Sequence, residues 1–151
     1  MSKNITQIEK VIYTAKAHTT GGREGGTSKS SDGRLDVKLT TPGAKGDGTN
    51  PEQLFAAGWS SCFLSAIKLE AFAMKFKLPD GAAVDAEVDL GATGGAYFLQ
   101  ARLNVSLPGV DRQTAQHLVD GAHRRCPYSK AVFGNINVTT TLIDDAAAVA
   151  A

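Results

Sequence analysis

The sequence predicts an α+β fold with a mostly antiparallel sheet, in the order βββ-α-ββ-α-β. Strand-length segments that alternate apolar and polar residues are separated by short turns, which is typical of hairpins. Residues 50–81 predict a long helix. The first half of this helix is apolar around its whole circumference, which indicates that it is buried. The chain has 151 residues, 42% of them hydrophobic and 21% charged. This length and composition predict a single ordered domain over residues 1–151.

The N-terminal part predicts three strands. Residues 11–17 are rich in β-formers and predict the first strand. The glycines of residues 19–26 indicate a loop. The turn signal Asp-Gly at residues 32–33 predicts a hairpin between a polar strand at 27–31 and an alternating strand at 35–39.

A glycine-rich loop over residues 41–50 leads into the first helix. Asn50 is a good cap, Pro51 suits the first helical position, and Glu52 complements the positive end of the helix dipole. We expect this helix to end at the Pro-Asp-Gly of residues 79–81. Since one sheet covers only one face of a helix, its all-round apolar surface predicts a second subunit, and hence a homodimer.

The C-terminal half predicts two more strands, a second helix and a last strand. The strands at residues 84–90 and 96–107 alternate apolar and polar side chains. Asp111 is a suitable cap for the second helix, which should stop near Cys126 because Pro127 disfavours helical geometry in the residue before it.

The last strand is predicted at residues 135–143, and the tail 144–151 is expected to fray. The formal net charge of +1 argues against nucleic-acid binding, which needs a basic surplus. The sequence contains no apolar run near the ~18 residues of a membrane span. Residues 1–10 contain no apolar core of a secretory signal. We therefore expect a cytoplasmic protein that binds neither nucleic acid nor membrane.

Two cysteines, Cys62 and Cys126, are the candidate reactive groups. A structural disulfide is not expected in a cytoplasmic chain with an adequate core. Two interpretations remain, buried inert thiols or a redox or nucleophilic pair. If the helix breaks at Gly58, Cys62 falls in the first turn of the second helical segment, where the dipole lowers a thiol pKa. Cys126 lies at the opposite end of its helix, which suggests Cys62 as attacker and Cys126 as resolving thiol.

Other polar residues are ambiguous on local sequence. Arg23, in a glycine loop, is most typical of a solvated charge, and a phosphate-binding loop is less favoured because no Gly-Lys-Ser/Thr follows. Glu52 has an equally good explanation as a helix N-terminal acid. The three histidines form no metal motif, so no metal site is expected. A Cys–His hydrolytic pair stays open, since such residues meet only in space.

These residues resemble a known family over essentially the whole chain. The matching segments are residues 13–15 (YTA), 20–23 (TGGR), 50–63 (NPEQLFAAGWSSCF) and 126–131 (CPYSKA). They are similar to the organic hydroperoxide resistance (Ohr) proteins, a branch of the OsmC-like family. The resemblance implies the OsmC-like fold as an intertwined homodimer with active sites at the subunit interface.

The resemblance also implies an activity, a thiol-dependent peroxidase that reduces organic hydroperoxides, including those of fatty acids, in oxidative-stress defence. It implies Cys62 as the peroxidatic cysteine, Cys126 as the resolving cysteine, and Arg23 and Glu52 as residues that set the reactivity of Cys62. Dihydrolipoyl groups of lipoylated proteins are the implied reductant, and no metal, haem or flavin is implied.

Elementary chemistry is consistent with these roles. A permanently charged Arg23 lowers the pKa of a nearby thiol, whereas Glu52 alone would raise it. Glu52 therefore has to act by orienting the guanidinium. On a straight helix Glu52 and Cys62 lie ~15 Å apart along the axis. Either the helix breaks near Gly58, which we favour, or Glu52 comes from the other subunit.

Two alternatives to the peroxidase stay open. A Cys–His hydrolase would acylate Cys62 and would not need Cys126. A redox sensor or binding protein would use the same two thiols without turnover.

Overall fold

Two three-stranded sheets and three helices confirm the predicted α+β class, in a computed structural model that describes residues 4–144. The chain divides into two compact units between Asn50 and Pro51. The single domain over residues 1–151 stays a prediction. The expected fraying of the tail falls outside the described residues, apart from Asp144, which is exposed.

The first unit contains an antiparallel sheet of β1 (Ala17–Thr20), β2 (Thr27–Ser30) and β3 (Asp36–Lys38). The prediction of a strand over residues 11–17 is wrong except at its last residue. Residues 11–16 are exposed and pair with no strand in the described part of the chain. A strand needs a partner for its backbone hydrogen bonds, and β2 reaches only as far as Ala17.

The loop between β1 and β2 is tight and carries Arg23. Gly21 has a φ of 70°, a conformation that favours glycine. A Cβ at Gly26 would lie 2.0 Å from the carbonyl oxygen of Thr20, so this position accepts no side chain. The Gly26 amide donates to the Gly22 carbonyl at 3.0 Å and closes the loop.

The second unit begins with α1 (Pro51–Ala73), which confirms the predicted start. The predicted end at residues 79–81 is wrong. Lys75 adopts a left-handed φ of 54°, and the Phe76 amide donates to the Ala71 carbonyl at 2.8 Å. This is a Schellman closure, which here uses lysine where glycine is usual.

The sheet of the second unit contains β4 (Ala83–Thr93), β5 (Ala96–Ser106) and β6 (Asn137–Ile143). β4 pairs antiparallel with β5, and β5 pairs parallel with β6. The turn at Gly94 and Gly95 has φ values of 58° and 79°, as a type I′ hairpin requires. The predicted fourth strand therefore stopped three residues short of this turn.

Two helices connect β5 with β6. The first, α2 (Arg112–Arg125), begins as predicted, because the Asp111 side chain accepts a hydrogen bond from the Thr114 amide. It ends before Cys126, also as predicted. The chain then forms α3 (Pro127–Val132), which the sequence pattern did not predict. Pro127 was interpreted only as the end of α2, but proline also suits the first position of a new helix.

The core of the second unit lies between the sheet and the helices, and α1 packs against β4, α2 and α3. Its largest fully buried side chains come from α1, β5, α2 and the residue after α2: Trp59, Phe63, Ile67, Leu103, Val105, Leu118, Val119 and Cys126. Among the described residues, no helix combines the length and apolar content needed to cross a bilayer.

Within one chain, α1 is not buried on all sides. Leu69 and Phe72, near its C-terminal end, are 58% and 84% exposed. One chain therefore leaves this end of α1 uncovered, whereas the all-round apolar pattern that predicts a second subunit lies in the first half of the helix. The homodimer stays a prediction.

Candidate active site

The two cysteines lie side by side in the second unit. Their Sγ atoms are 3.4 Å apart, at hydrogen-bond distance for two sulfur atoms, and both thiols are free. Cys126 is fully buried, whereas Cys62 is half-buried. A reagent from solvent therefore reaches Cys62 before Cys126.

The break between α2 and α3 places the Cys126 thiol. Cys126 has an extended backbone (φ −68°, ψ 118°), yet its amide still donates to the Ala122 carbonyl at 2.8 Å. Pro127 forces this extended geometry on the residue before it and then starts α3. Cys126 thus belongs to the corner between two helices, and its side chain enters the core beside α1.

Cys62 lies in the middle of α1, which is continuous from Pro51 to Ala73. The expected break at Gly58 is therefore wrong, and Cys62 does not lie in the first turn of a new helix. The absence of a side chain at Gly58 instead makes room for Tyr128. A Cβ at Gly58 would lie 2.7 Å from the Tyr128 hydroxyl oxygen.

The surroundings of Cys62 raise its thiol pKa. Burial is the largest cause, and the hydrogen bond and charge repulsion of the adjacent Cys126 add to it. The backbone amide of Tyr128 acts in the opposite direction, because its hydrogen bond to the sulfur favours the thiolate. Tyr128 is the second residue of α3, where amides have no partner within the helix. The expected lowering of the pKa by the dipole of α1 is thus wrong.

A chain of side-chain hydrogen bonds joins the elements that carry the cysteines. The Trp59 indole N–H donates to the Ser129 hydroxyl at 3.2 Å, and that hydroxyl lies 3.1 Å from His123 Nδ1. His123 Nε2 lies 2.9 Å from the Thr140 hydroxyl on β6. Trp59 lies three residues before Cys62. His123 lies three residues before Cys126, and Ser129 lies three residues after it. The chain therefore ties α1, α2, α3 and β6 together around both thiols.

Sequence reasoning missed Ser129 and Thr140 as partners of this chain. The available signal was the position of His123 and Ser129, three residues on either side of Cys126, but spacing alone does not show that they meet. Burial lowers the pKa of His123, and Asp120 on the same helix opposes this.

Aromatic rings flank the site. Phe55 contacts both Trp59 and Tyr128 edge-on, with centroids 5.6 and 6.1 Å apart. A cleft of about 680 Å³ opens between α3 and β6. Trp59, His123 and Ser129 line it, together with Val132, Phe133, Ile136 and Val138.

Arg23 and Glu52 belong to different units. Arg23 is half-buried, and its Nε lies 3.2 Å from the Glu24 carboxylate. Glu52 is in the first turn of α1, and its Oε2 is buried without a hydrogen-bond partner in the described part of the chain. A buried carboxylate oxygen is costly to leave unpaired, so Glu52 has an unused capacity to bind a cation or donor. That Arg23 and Glu52 set the reactivity of Cys62 stays a prediction.

Within residues 4–144, no group of three histidine, cysteine or acidic side chains converges as a metal site would require.

Comparison with known proteins decides the family. The model of the OsmC-like protein family matches residues 43–141, about two thirds of the chain.

The chain belongs to the OsmC-like family.

Relatives of this OsmC-like protein include the organic hydroperoxide resistance protein of Xanthomonas axonopodis pv. citri. The two are 52% identical over 138 residues, which cover 89% of this chain and 96% of the relative. The organic hydroperoxide resistance protein OhrB of Bacillus subtilis is 40% identical over 136 residues, or 87% of this chain and 98% of the relative. The predicted resemblance to the Ohr branch is confirmed.

Solved structures agree with this assignment. The crystal structure of OhrB from Bacillus subtilis matches with a TM-score of 0.83 at 38% identity, and the match covers 88% of this chain and all of that one. An organic hydroperoxide resistance protein of Legionella pneumophila matches with the same TM-score at 39% identity, over 89% of this chain and all of that one. The predicted OsmC-like fold is confirmed.

Proposed function

We propose that this OsmC-like protein is a thiol-dependent peroxidase that reduces organic hydroperoxides, including those of fatty acids, in oxidative-stress defence. The observation that carries the proposal is the pair of free thiols 3.4 Å apart, one accessible and one buried. The names of the relatives, organic hydroperoxide resistance proteins, support the substrate class.

The unequal burial supports different roles for the two thiols in this proposal. The Cys62 thiolate attacks the terminal peroxide oxygen, the O–O bond breaks, and the alkoxide takes a proton and leaves as an alcohol. Cys62 is thereby oxidised to a sulfenic acid. The Cys126 thiol then condenses with this sulfenic acid, which forms the Cys62–Cys126 disulfide and releases water.

The raised pKa of Cys62 requires a nearby positive charge for the first step, and Arg23 is our candidate. Glu52 would orient the guanidinium in a bidentate pair, which satisfies its unpartnered Oε2. Because α1 is unbroken, Glu52 and Cys62 of one chain lie ~15 Å apart along the helix axis. We therefore propose that Glu52 acts on the Cys62 of a partner subunit in a homodimer.

A dithiol returns the disulfide to the reduced state. After the first exchange, its second thiol expels the protein thiol by closing a ring, so the mixed disulfide does not persist. Dihydrolipoyl groups of lipoylated proteins in the cytoplasm are the proposed donors. The catalytic cycle needs no bound cofactor.

The alternatives make different predictions for the same thiols. A Cys–His hydrolase needs a histidine beside Cys62, but both ring nitrogens of His123 face hydroxyl groups, those of Ser129 and Thr140. A redox sensor would consume one equivalent of hydroperoxide and stop.

Two assays decide among these functions. The first follows consumption of tert-butyl hydroperoxide in the presence of dihydrolipoamide, where we expect many turnovers per protein. The second uses mass spectrometry after one equivalent of hydroperoxide. Cys62→Ser should show no oxidation, and Cys126→Ser should show a sulfenic acid on Cys62 that passes to sulfinic acid in excess peroxide. Oxidation of Cys126 in Cys62→Ser at the wild-type rate would reverse the two roles, and a single turnover would indicate a sensor.

A further inference from the structure

A carboxylate on α1 is surrounded by cations from α2. Glu70 is 8% exposed, and the Arg125 Nε–H donates a short hydrogen bond to its Oε2. Arg124 Nη2 and His117 Nε2 lie 4.0 and 3.8 Å from its Oε1. The Arg125 hydrogen bond is the main cause of a lowered Glu70 pKa, so Glu70 is ionised at neutral pH.

The helices are shaped to admit this carboxylate. Gly121 is buried in α2, and a Cβ there would lie 2.3 Å from Glu70 Cδ, so any side chain would displace Glu70. The carboxylate therefore lies directly on the backbone of α2. This buried acid needs a glycine opposite it and an arginine as partner. The contact between the helices is therefore specific, unlike an ion pair on the solvated surface.

Several contacts join α1 to the segment that runs from α2 to Cys126. Glu70 meets α2 at Gly121 and Arg125, Phe63 meets the His123 ring with centroids 4.6 Å apart, and Cys62 meets Cys126. Arg125 is the last residue of α2 and directly precedes Cys126. A shift of Arg125 is thus transmitted to Cys126 through one peptide unit.

We propose that Glu70 and Arg125 are positioning residues, which hold the end of α2 on α1 and thereby keep Cys126 within reach of Cys62. In the described part of the chain, no hydrogen bond joins either side chain to a thiol. The role of the pair in turnover rests on the proposed peroxidase function, but its effect on the two thiols does not.

The geometry of disulfide formation explains why the position of Cys126 matters. The sulfur atoms must close from 3.4 Å to the ~2.05 Å of a disulfide bond, with a dihedral angle near ±90°. Reactions between groups held in place lose much of their rate when one group is displaced by ~1 Å. Loosening the Glu70–Arg125 contact should therefore slow ring closure and leave the first attack on Cys62 unchanged.

The test uses 4,4′-dithiodipyridine, a small disulfide reagent, on the reduced full-length protein. In the first phase the accessible Cys62 thiolate attacks the reagent, forms a mixed disulfide and releases one thiopyridone. In the second phase the Cys126 thiolate attacks the Cys62 sulfur, which forms the protein disulfide and releases the second thiopyridone. The absorbance of thiopyridone gives both rate constants in one stopped-flow trace.

The decisive variant is Glu70→Gln, which removes the charge and keeps the shape. We expect a second phase about tenfold slower than wild type, with a first phase within twofold. The matched control is Glu87→Gln, which alters an exposed carboxylate paired with Arg102 on the sheet and should leave both phases unchanged. A second phase in Glu70→Gln within twofold of wild type would overturn the proposal.

A second variant keeps the proposal testable if Glu70→Gln does not fold, as judged by circular dichroism. Arg125→Lys retains the charge but loses the planar Nε–H, and should slow the second phase about threefold. Its control is Arg112→Lys, the same change at the exposed start of α2. Equal second phases in the two lysine variants would overturn the proposal. Because the assay contains no hydroperoxide, its outcome is independent of whether the protein is a peroxidase.

Discussion

Cys62 is a thiol whose immediate surroundings oppose its ionisation. Burial and the neighbouring Cys126 raise its pKa, and the Tyr128 amide offsets this in part. A peroxidatic thiol has to be ionised at neutral pH, so the residues beside it in α1 do not by themselves make it reactive. The proposed reactivity therefore depends on charge supplied from elsewhere, and Arg23 is the residue to test.

Arg23→Ala should lower the rate of alkyl hydroperoxide reduction at pH 7 roughly 10- to 100-fold, since an adjacent opposite charge typically lowers a pKa by 1–2 units. The midpoint of Cys62 alkylation by iodoacetamide should move to higher pH in parallel. Glu52→Ala should cost less, and the double variant should be little worse than Arg23→Ala, because coupled residues are non-additive. Arg34→Ala, an exposed arginine of the same unit, is the control. Strictly additive losses would show that Arg23 and Glu52 act independently.

His123 gives the protein a specific response to pH. Burial lowers its pKa, so just below pH ~6.5 this ring binds protons more readily in the unfolded chain than in the folded protein. The contribution of the neutral ring is therefore fully present above pH ~6.5 and is lost as the pH falls. Carboxylates with lowered pKa values, such as Glu70 and Asp111, lose their contribution only below pH ~4.

We expect the free energy of unfolding in urea to fall between pH 7 and pH 5, and His123→Gln to flatten this slope. His18→Gln, which changes an exposed histidine on β1, should leave the slope as it is. An equal slope in wild type and His123→Gln would show that the ring is protonated in the folded protein as readily as in the unfolded chain.

At the scale of the elements, the contact between α3 and α1 depends on Gly58 and Tyr128. The Tyr128 hydroxyl fills the space left by Gly58, one turn before Cys62, and the Tyr128 amide reaches the Cys62 sulfur. The glycine therefore permits the close approach of α3 and leaves α1 intact. This explains why a residue that weakens a helix by ~1 kcal/mol stands in the middle of one.

Gly58→Ala should destabilise the protein by about 1–2 kcal/mol despite its gain in helix propensity, because the new Cβ meets the Tyr128 ring. Tyr128→Phe removes the closest atom, so the double variant should lose less than the sum of the two single changes. Chemical denaturation measures all three. The control is Ala57→Gly, on the exposed side of the same turn, which measures the effect of helix propensity alone on the free energy of unfolding, ~1 kcal/mol. A stabilised Gly58→Ala would mean that Tyr128 is not held against α1.

At the scale of the whole molecule, large apolar side chains remain exposed in both units of the chain. Besides Leu69 and Phe72 on α1, they occur in the N-terminal segment at Ile8, Ile12 and Tyr13, which are 77–93% exposed. Exposed apolar side chains that lie together are typical of an interface, and Leu69 and Phe72 are neighbours on the surface of α1. We expect an obligate homodimer, and sedimentation that shows a stable folded monomer at micromolar concentration would contradict it.

Subunit mixing tests whether Glu52 acts across this dimer. Cys62→Ser and Glu52→Ala subunits, refolded together, should exceed the mean of the two parents by about a quarter of the activity that Glu52→Ala loses, since half of randomly paired dimers then hold one intact site of two. If Glu52 acts within its own chain, the mixture should show only the mean of the parents. The control mixture is Cys62→Ser with Cys126→Ser, which should form no Cys62–Cys126 disulfide, because those thiols meet within one chain.

Features that depend on local chemistry could be predicted from the amino-acid sequence. The Asp-Gly turn indicated the β2–β3 hairpin, and the alternating pattern indicated β4 and β5. Pro51 marked the start of α1, and Asp111 and Pro127 marked the ends of α2. The two cysteine motifs were also sufficient to recognise the family. Each of these signals acts between residues close in the chain, so a single sequence contains it.

Features that depend on residues distant in the chain required the folded arrangement. Residues 11–16 have the composition of a strand but pair with none of the described strands. Gly58 is a residue that often breaks a helix, but here its missing side chain makes room for Tyr128. The same holds for Glu70, an ordinary charge in the sequence, which is buried because Gly121 and Arg125 face it from α2. The raised pKa of Cys62 likewise follows from burial and from the neighbouring Cys126, with the Tyr128 amide opposing them, since solvent exclusion and through-space contacts are set by packing.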